Sequence, residues 1–498
     1  MAFIRRCIVT LIIACAAVTA AAQDRPDRRE PPKAAHGGLL HLLPADSVTE
    51  HSLTTARGKI TYTATAGTLA LYDQSGEQSA SVFYTAYVAK DAGANRPLTF
   101  VFNGGPGAAS AFLHLGLVGP KILDFGPGAR DAATAQLRDN PDTWLAFTDL
   151  VLIDPIGTGW SRTAKPDDAK GFWNVQQDAN SIAKAIALYV AHNNRTGSPK
   201  YLFGESYGGF RAVKVARALQ REQGIVVAGI VMLSPLLDGA LTFGGDRYAL
   251  GAALQFPSLA AAELERRGTF TPSALAEAEH FAMTDYLTTL AGPPPQGDKA
   301  RAFYAQVARL TGLSADNVAQ ARGFISDAYA KEFRAADHKV VSIYDATFAV
   351  DDPFPEQRSS HGGDPILDGV VRAYSGAFAA YARNELGFKT EMTYTLLSSD
   401  VGGHWDWGHG GRQRADSEND IRVLLSFTPS FRLLIAHGYS DLVTPYGMTR
   451  YVLDHLPTIG APNRVQLKLY RGGHMLYLDP ASRKAFTDDA AAFLRAGE

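Results

Sequence analysis

Cysteine is nearly absent from this 498-residue chain: there are 2, Cys7 and Cys15, and both lie near the amino terminus. The rest of the chain therefore excludes disulfides, zinc–thiolate sites and cysteine nucleophiles together. Charge of one sign is lacking too. With 48 basic against 50 acidic side chains and a formal charge of −2, no basic face points to a nucleic-acid partner. Beyond the amino terminus no apolar run approaches 18 residues, so nothing there would span a bilayer as a helix. The 47 glycines and 26 prolines fall far short of collagen-like or low-complexity levels. What is present is 46% hydrophobic and 20% charged, enough for a large core without staples. The length suits one large domain carrying an insertion, or two domains.

Residues 1–22 have the anatomy of an export signal peptide. Arg5 and Arg6 make the positive end, Ile8 to Ala20 the apolar run, and Ala20-Ala21-Ala22 a cleavage site before Gln23. The run is shorter than the ~20 residues a membrane helix needs. A retained anchor is one alternative, and a lipoprotein is another, since Ile12-Ile13-Ala14-Cys15 loosely matches a lipobox. An exported, alanine-rich chain whose mature form has no cysteine fits a bacterial periplasm or secretion. Residues 23–46 then read as a flexible linker, because 24–36 mix charge and proline with no apolar period.

From residue 47 to 90, segments 59–64, 68–72 and 81–88 are rich in Thr, Tyr and Val, and Gly58, Gly67 and Ser75-Gly76 punctuate them. They predict an antiparallel meander. After Pro97 come buried strands at 98–103, 150–154, 200–203, 225–233, 431–436 and 464–470, alternating with helices. Their continuous hydrophobicity predicts a parallel sheet covered on both faces. Helices are expected over 174–193, where Ile182, Ile186 and Tyr189 keep a helical interval, over 207–220, and over 481–496. An alanine-rich, mainly helical block interrupts the alternation. The expected organisation is a core at 47–238 and 422–498 with a helical cap insertion at 239–421, over the carboxyl edge of the sheet.

The most informative stretch is Gly204-Glu205-Ser206-Tyr207-Gly208, which follows an apolar strand and opens a helix. Glycines flanking a serine in that context predict a nucleophile elbow, a strained turn that presents the hydroxyl at a helix N-terminus. Such a serine needs a base, and the base an orienting carboxylate, each on a loop after a late strand. Asp441 follows the strand at 431–436 and His474 follows that at 464–470; Asp454 and Asp479 are weaker rivals because neither directly follows a strand. The oxyanion needs a second backbone donor, and Asn103-Gly104-Gly105-Pro106-Gly107 after the strand at 98–103 can bring one close.

Asn103–Gly107, Gly204–Gly208 and Gly472-Gly473-His474-Met475 together resemble the serine carboxypeptidase family, in which NGGPG, GESY and GHM mark the site. Pro155-Ile156-Gly157-Thr158-Gly159-Trp160-Ser161 is similar to a fourth family segment, with Trp160 where the family has phenylalanine. The resemblance spans roughly 97–240 and 425–485. It implies an α/β-hydrolase with a mostly parallel central sheet. It also implies a serine-type exopeptidase acting through an acyl-enzyme on peptides with a free C-terminus. Carried over by position, Ser206 is the nucleophile, His474 the base and acid, and Asp441 its orienter. The amides of Gly105 and Tyr207 form the oxyanion hole, and Asn103, Gly104 and Glu205 bind the terminal carboxylate. This chemistry requires no metal or organic cofactor.

Two positions depart from the family. A second glutamate that shares a proton with the first is replaced by Leu117, and the cysteine after NGGPG is Ala108. Losing that carboxylate removes part of the basis for carboxylate recognition and leaves the hydrolase chemistry untouched, so an esterase, aminopeptidase or acyltransferase is the alternative. Other segments point less clearly to function. His404, Asp406 and His409 could suggest a metal site, but a loop packing Trp405 and Trp407 over the cleft is the plainer reading, and no metal is expected. The segment His361-Gly362-Gly363-Asp364 reads as a turn, and Arg211 and Arg217 as solvated helix charges. Oligomeric state is not legible.

Overall fold

Runs of Val, Leu, Ile and Phe bounded by polar turns build the sheet. In the computed structural model, residues 38–496 are described, apart from 56–57, 91–92, 94, 127–130, 245–246 and 358–361. The expected export signal, both cysteines, 23–37 of the linker and His361 lie outside the described residues. Three antiparallel strands open the sheet: β1 (Ser47–Thr55), β2 (Gly58–Tyr72) and β3 (Gln78–Ala89). Gly67 does not end a strand, contrary to the sequence reading. A Cβ there would overlap the Asp46 carboxylate, which instead accepts from Thr68 N–H at 2.9 Å.

Six parallel strands follow: β4 (Leu98–Phe102), β5 (Asp149–Ile153), β6 (Lys200–Glu205), β7 (Gly229–Leu233), β8 (Arg432–Gly438) and β9 (Val465–Tyr470). In space the order is β1-β2-β3-β5-β4-β6-β7-β8-β9, with β3 and β5 antiparallel. This is an α/β-hydrolase fold. Alternation along each strand splits the core in two. Phe100, Phe102, Leu202 and Ile230 face helices α1 (Val175–His192) and α2 (Tyr207–Ala218), whereas Val101, Phe203 and Val231 face the helix Pro480–Arg495. Helix α1 starts where Asn174 Oδ1 accepts from Gln177 N–H, an N-cap that satisfies one of its open amides.

Between β7 and β8 the chain makes a helical body (Ala249–Arg266, Pro272–Phe281 and Gly297–Thr311) packed around Phe256 and Tyr286. That body also packs on Leu442 and Tyr446, next to Asp441. A short hairpin, Lys339–Val341 with Ala349–Asp351, comes next. Helix Ala373–Asn384 then packs Tyr374, Phe378 and Tyr381 into the same cluster as β4 and β6, and Tyr394 meets Trp160 edge-on at 4.9 Å.

Trp144 stacks on Phe203 at 4.7 Å and donates to Thr487 at 3.2 Å, tying β6 to the closing helix. Replacing Trp144 by alanine is expected to destabilise the fold by about 3–5 kcal/mol, read as a lower denaturation midpoint at an unchanged slope.

Candidate active site

The strand register carries the chemistry-bearing loops to one edge. Leu233 of β7 pairs with Glu205 of β6 and with Ala436 of β8, and Gly438 of β8 pairs with Tyr470 of β9. Ser206, Asp441 and His474 all follow these strand ends. Ser206 has φ 61° and ψ −129°, a conformation costly for a residue with a side chain. The elbow is crowded enough to enforce it: a Cβ on Gly204 would overlap the Gly208 carbonyl. Ser206 N–H donates to Leu233 O at 2.9 Å, anchoring the turn to β7.

Asp441 and His474 meet in the interior. The His474 Nδ1···Asp441 Oδ2 distance is 2.9 Å, and both side chains are buried. That bond commits Nδ1 to the carboxylate and leaves Nε2 available to a nucleophile. Asp441 also accepts from the amides of Val443 and Thr444 and from the Thr444 hydroxyl. The described hydrogen bonds of His474 run to Asp441, Thr444, Ser234 and Tyr344, with none to Ser206 Oγ. Catalytic contacts of that kind often close only with substrate bound. The rivals sit elsewhere: Asp479 caps the closing helix through Ser482 N–H, and Asp454 lies within the helix Tyr446–His455.

Burial works against a charged imidazole, but Asp441 and Glu205 outweigh it and hold His474 above its ordinary value. Burial pushes Asp441 up too, yet the histidine and the donors around it bring it below the usual carboxylate range. His437, five residues after the start of β8, is different. Burial drives it down to about 4, and its Nε2 is within 2.8 Å of the Thr449 hydroxyl.

The loop 103–107 lies against the elbow. A Cβ on Gly104 would stand 2.6 Å from the amides of Tyr207 and Gly208. Gly105 has φ 98°, open to glycine alone at little cost. The amide of Tyr207, first in α2, has no acceptor within the helix. Asn103 Nδ2 donates to Glu205 Oε2 at 2.7 Å, so Asn103, Gly104 and Glu205 come together as well. Burial pushes Glu205 up to about 7, against the pull of His474, Tyr477 and Asn103. Leu117 is wholly buried and offers no polar partner there.

Several contributors were missed from the sequence. Residues 343–346 of the insertion stitch the two loops together. Tyr344 O accepts from His474 N–H at 2.6 Å and its ring meets the imidazole edge-on at 5.4 Å. Ser440 Oγ donates to Asp345 at 2.7 Å, and Leu442 N–H to Ile343 O at 3.0 Å. No motif marks this segment. Thr444 was legible in principle, three residues after an aspartate, the spacing of a side-chain-capped turn. Arg211 is a correction: it is buried, pairs with Asp178 at 2.7 Å and donates to the Asn103 carbonyl, so it braces the loop from beneath. Trp405 and Trp407 pack edge-on against Tyr207, both at 5.3 Å. Among the described residues no group of three His, Cys, Asp or Glu converges as a metal site would require.

Residues 60–239 match the family model for serine carboxypeptidases. Through this segment, which is less than half of the chain, it is similar to the serine carboxypeptidase family. It is 30% identical over 166 residues to the mouse (Mus musculus) retinoid-inducible serine carboxypeptidase, covering 31% of this chain and 33% of that one. It is 33% identical over 143 residues to serine carboxypeptidase-like 44 of Arabidopsis thaliana, covering 27% of each. The matched regions thus span about a third or less of these curated relatives. A solved structure of Kex1(delta)p, a prohormone-processing carboxypeptidase from Saccharomyces cerevisiae, aligns with a TM-score of 0.56 at 15% identity, over 86% of this chain and 90% of that one. At that identity it shows a shared fold.

The elbow's crowding is testable. Gly204→Ala is expected to abolish labelling of Ser206 by a fluorophosphonate and to lower the melting temperature. Gly376→Ala, where a Cβ meets nothing within 4 Å, serves as the control and should do neither.

Proposed function

We propose that this protein is an exported serine carboxypeptidase that removes the C-terminal residue of peptides. The observation that carries the reading is the buried His474–Asp441 pair at the sheet edge that also bears the strained Ser206. Ser206 Oγ attacks the scissile carbonyl while His474 Nε2 takes its proton. Asp441 holds the ring in the right tautomer and stabilises the imidazolium. The oxyanion is received by the amides of Gly105 and Tyr207. His474 then protonates the leaving amine, and water, activated by the same imidazole, hydrolyses the acyl-enzyme. Asn103, Gly104 and Glu205 hold the terminal carboxylate. An ionised Glu205 would repel it, so the raised proton affinity of this residue favours the role. Export rests on the signal-like residues 1–22 and places the enzyme in the periplasm or outside the cell.

A second reading is favoured by Leu117, which leaves Glu205 without another carboxylate: a hydrolase or acyltransferase of the same mechanism that does not need a free C-terminus. Paired substrates separate the two. A blocked dipeptide with a free acid is expected to be cleaved far faster than its amide; equal rates would favour the second reading. Ser206→Ala should lower kcat by about 10⁶-fold. Retained turnover in a clean preparation would remove Ser206 from the mechanism.

The titrations set a pH window. With the free-acid substrate, kcat/KM should rise as His474, held above its ordinary value of 6.5, loses its proton, and fall as Glu205 ionises near 7. The two groups interact, so the limbs belong to the pair. With an ester lacking a terminal carboxylate, the falling limb assigned to Glu205 should vanish.

A further inference from the structure

Glu205 is a buried carboxyl that needs partners, and Asn103 supplies one of them. The other is Tyr477. Its hydroxyl lies 3.2 Å from Oε2 and 3.3 Å from Oε1, so it spans both oxygens of the group. Tyr477 sits in the single turn Leu476–Leu478, three residues beyond His474, so one loop brings both the imidazole and the Glu205 partner to the site. Room for its ring is made at Gly116, where a Cβ would stand 2.5 Å from Tyr477 Cε2 and 2.9 Å from the Tyr374 hydroxyl. The next residue is Leu117. The ring thus fills the space beside the position that carries no carboxylate.

We propose that Tyr477 is the positioning residue of the carboxylate anchor, holding the Glu205 carboxyl where no second carboxylate exists and so setting the pH range over which a peptide's free C-terminus is bound. The proposal rests on the carboxypeptidase reading and adds a residue to it.

The chemistry differs from that of paired carboxylates. Two acids in contact cannot both ionise, so each raises the other's hold on a proton. A buried tyrosine keeps its own proton: Tyr477 is driven well above its ordinary value by burial and by Glu205. It can therefore always donate, and donation favours the ionised form of Glu205. The other titratable groups acting on this carboxyl are His474 and Asp441, and Tyr344 and Tyr374 feel its charge from the insertion. Tyr477 thus pulls the alkaline limit of substrate binding down, towards neutrality.

Tyr477→Phe removes the donor and keeps the ring. On the free-acid dipeptide, its alkaline limb of kcat/KM should move to higher pH by about one unit, with the change carried by KM. A merely structural role would lower activity at every pH and leave the limb in place. Tyr477→Met, which also lacks the donor and fills the space with a flexible side chain, carries the test if Tyr477→Phe does not fold, and Glu205→Gln, as the control, should remove the limb altogether. A limb unmoved in Tyr477→Phe or Tyr477→Met overturns the proposal while leaving the carboxypeptidase reading intact, whereas a limb persisting in Glu205→Gln overturns the proposal together with the role given to Glu205 in that reading. A wild-type enzyme that cleaves free acid and amide equally overturns the reading itself, and the anchor with it.

Discussion

The hydrogen bond between His474 and Asp441 is the contact on which the site depends. Neither an ionised Asp441 nor a protonated His474 can be buried alone at acceptable cost, because an uncompensated charge in the interior is far more expensive than a paired one. The fold meets that cost by giving Asp441 two backbone amides, a hydroxyl and an imidazole. Thr444 is central: its hydroxyl stands within bonding reach of Asp441, His474 and the Ser234 carbonyl, so the acid loop, the histidine loop and the end of β7 share one group.

That contact can persist only if the two loops hold their spacing, and the insertion is part of how they do so. Residues 343–346 bond to Ser440, Leu442 and His474 across the gap between β8 and β9. Gly473 fits beneath them, and any side chain there would overlap the Tyr344 carbonyl. The inserted block is therefore more than a roof. One part is a helical body seated beside Asp441, another is a strap across two loops, and a third is an aromatic layer within the main core.

A second network is built around Glu205, the residue before Ser206. Asn103, Glu205 and Tyr477 are linked by hydrogen bonds, while Arg211, paired with Asp178, holds the Asn103 carbonyl from below. The two networks communicate electrically, since Glu205 and His474 each shift the other's hold on a proton. Proton affinity at Glu205 and at His474 is thus a property of the ensemble of groups rather than of either residue.

Local pattern was enough to read the sheet, because a strand buried on both faces writes its hydrophobicity continuously into the chain, as in Leu98–Phe102 and Gly229–Leu233. The elbow was legible for a similar reason: only small neighbours tolerate the crowding around Ser206, so the constraint is spelled within five residues. Chain order and strand ends singled out Asp441 and His474 in the same way. Tyr344, Tyr477 and the burial of Arg211 were not readable, since each depends on what lies opposite in space. A tyrosine three residues past a histidine has no local signature of its own. It becomes a partner of Glu205 only because Gly116, more than three hundred positions away, leaves a space that its ring fills.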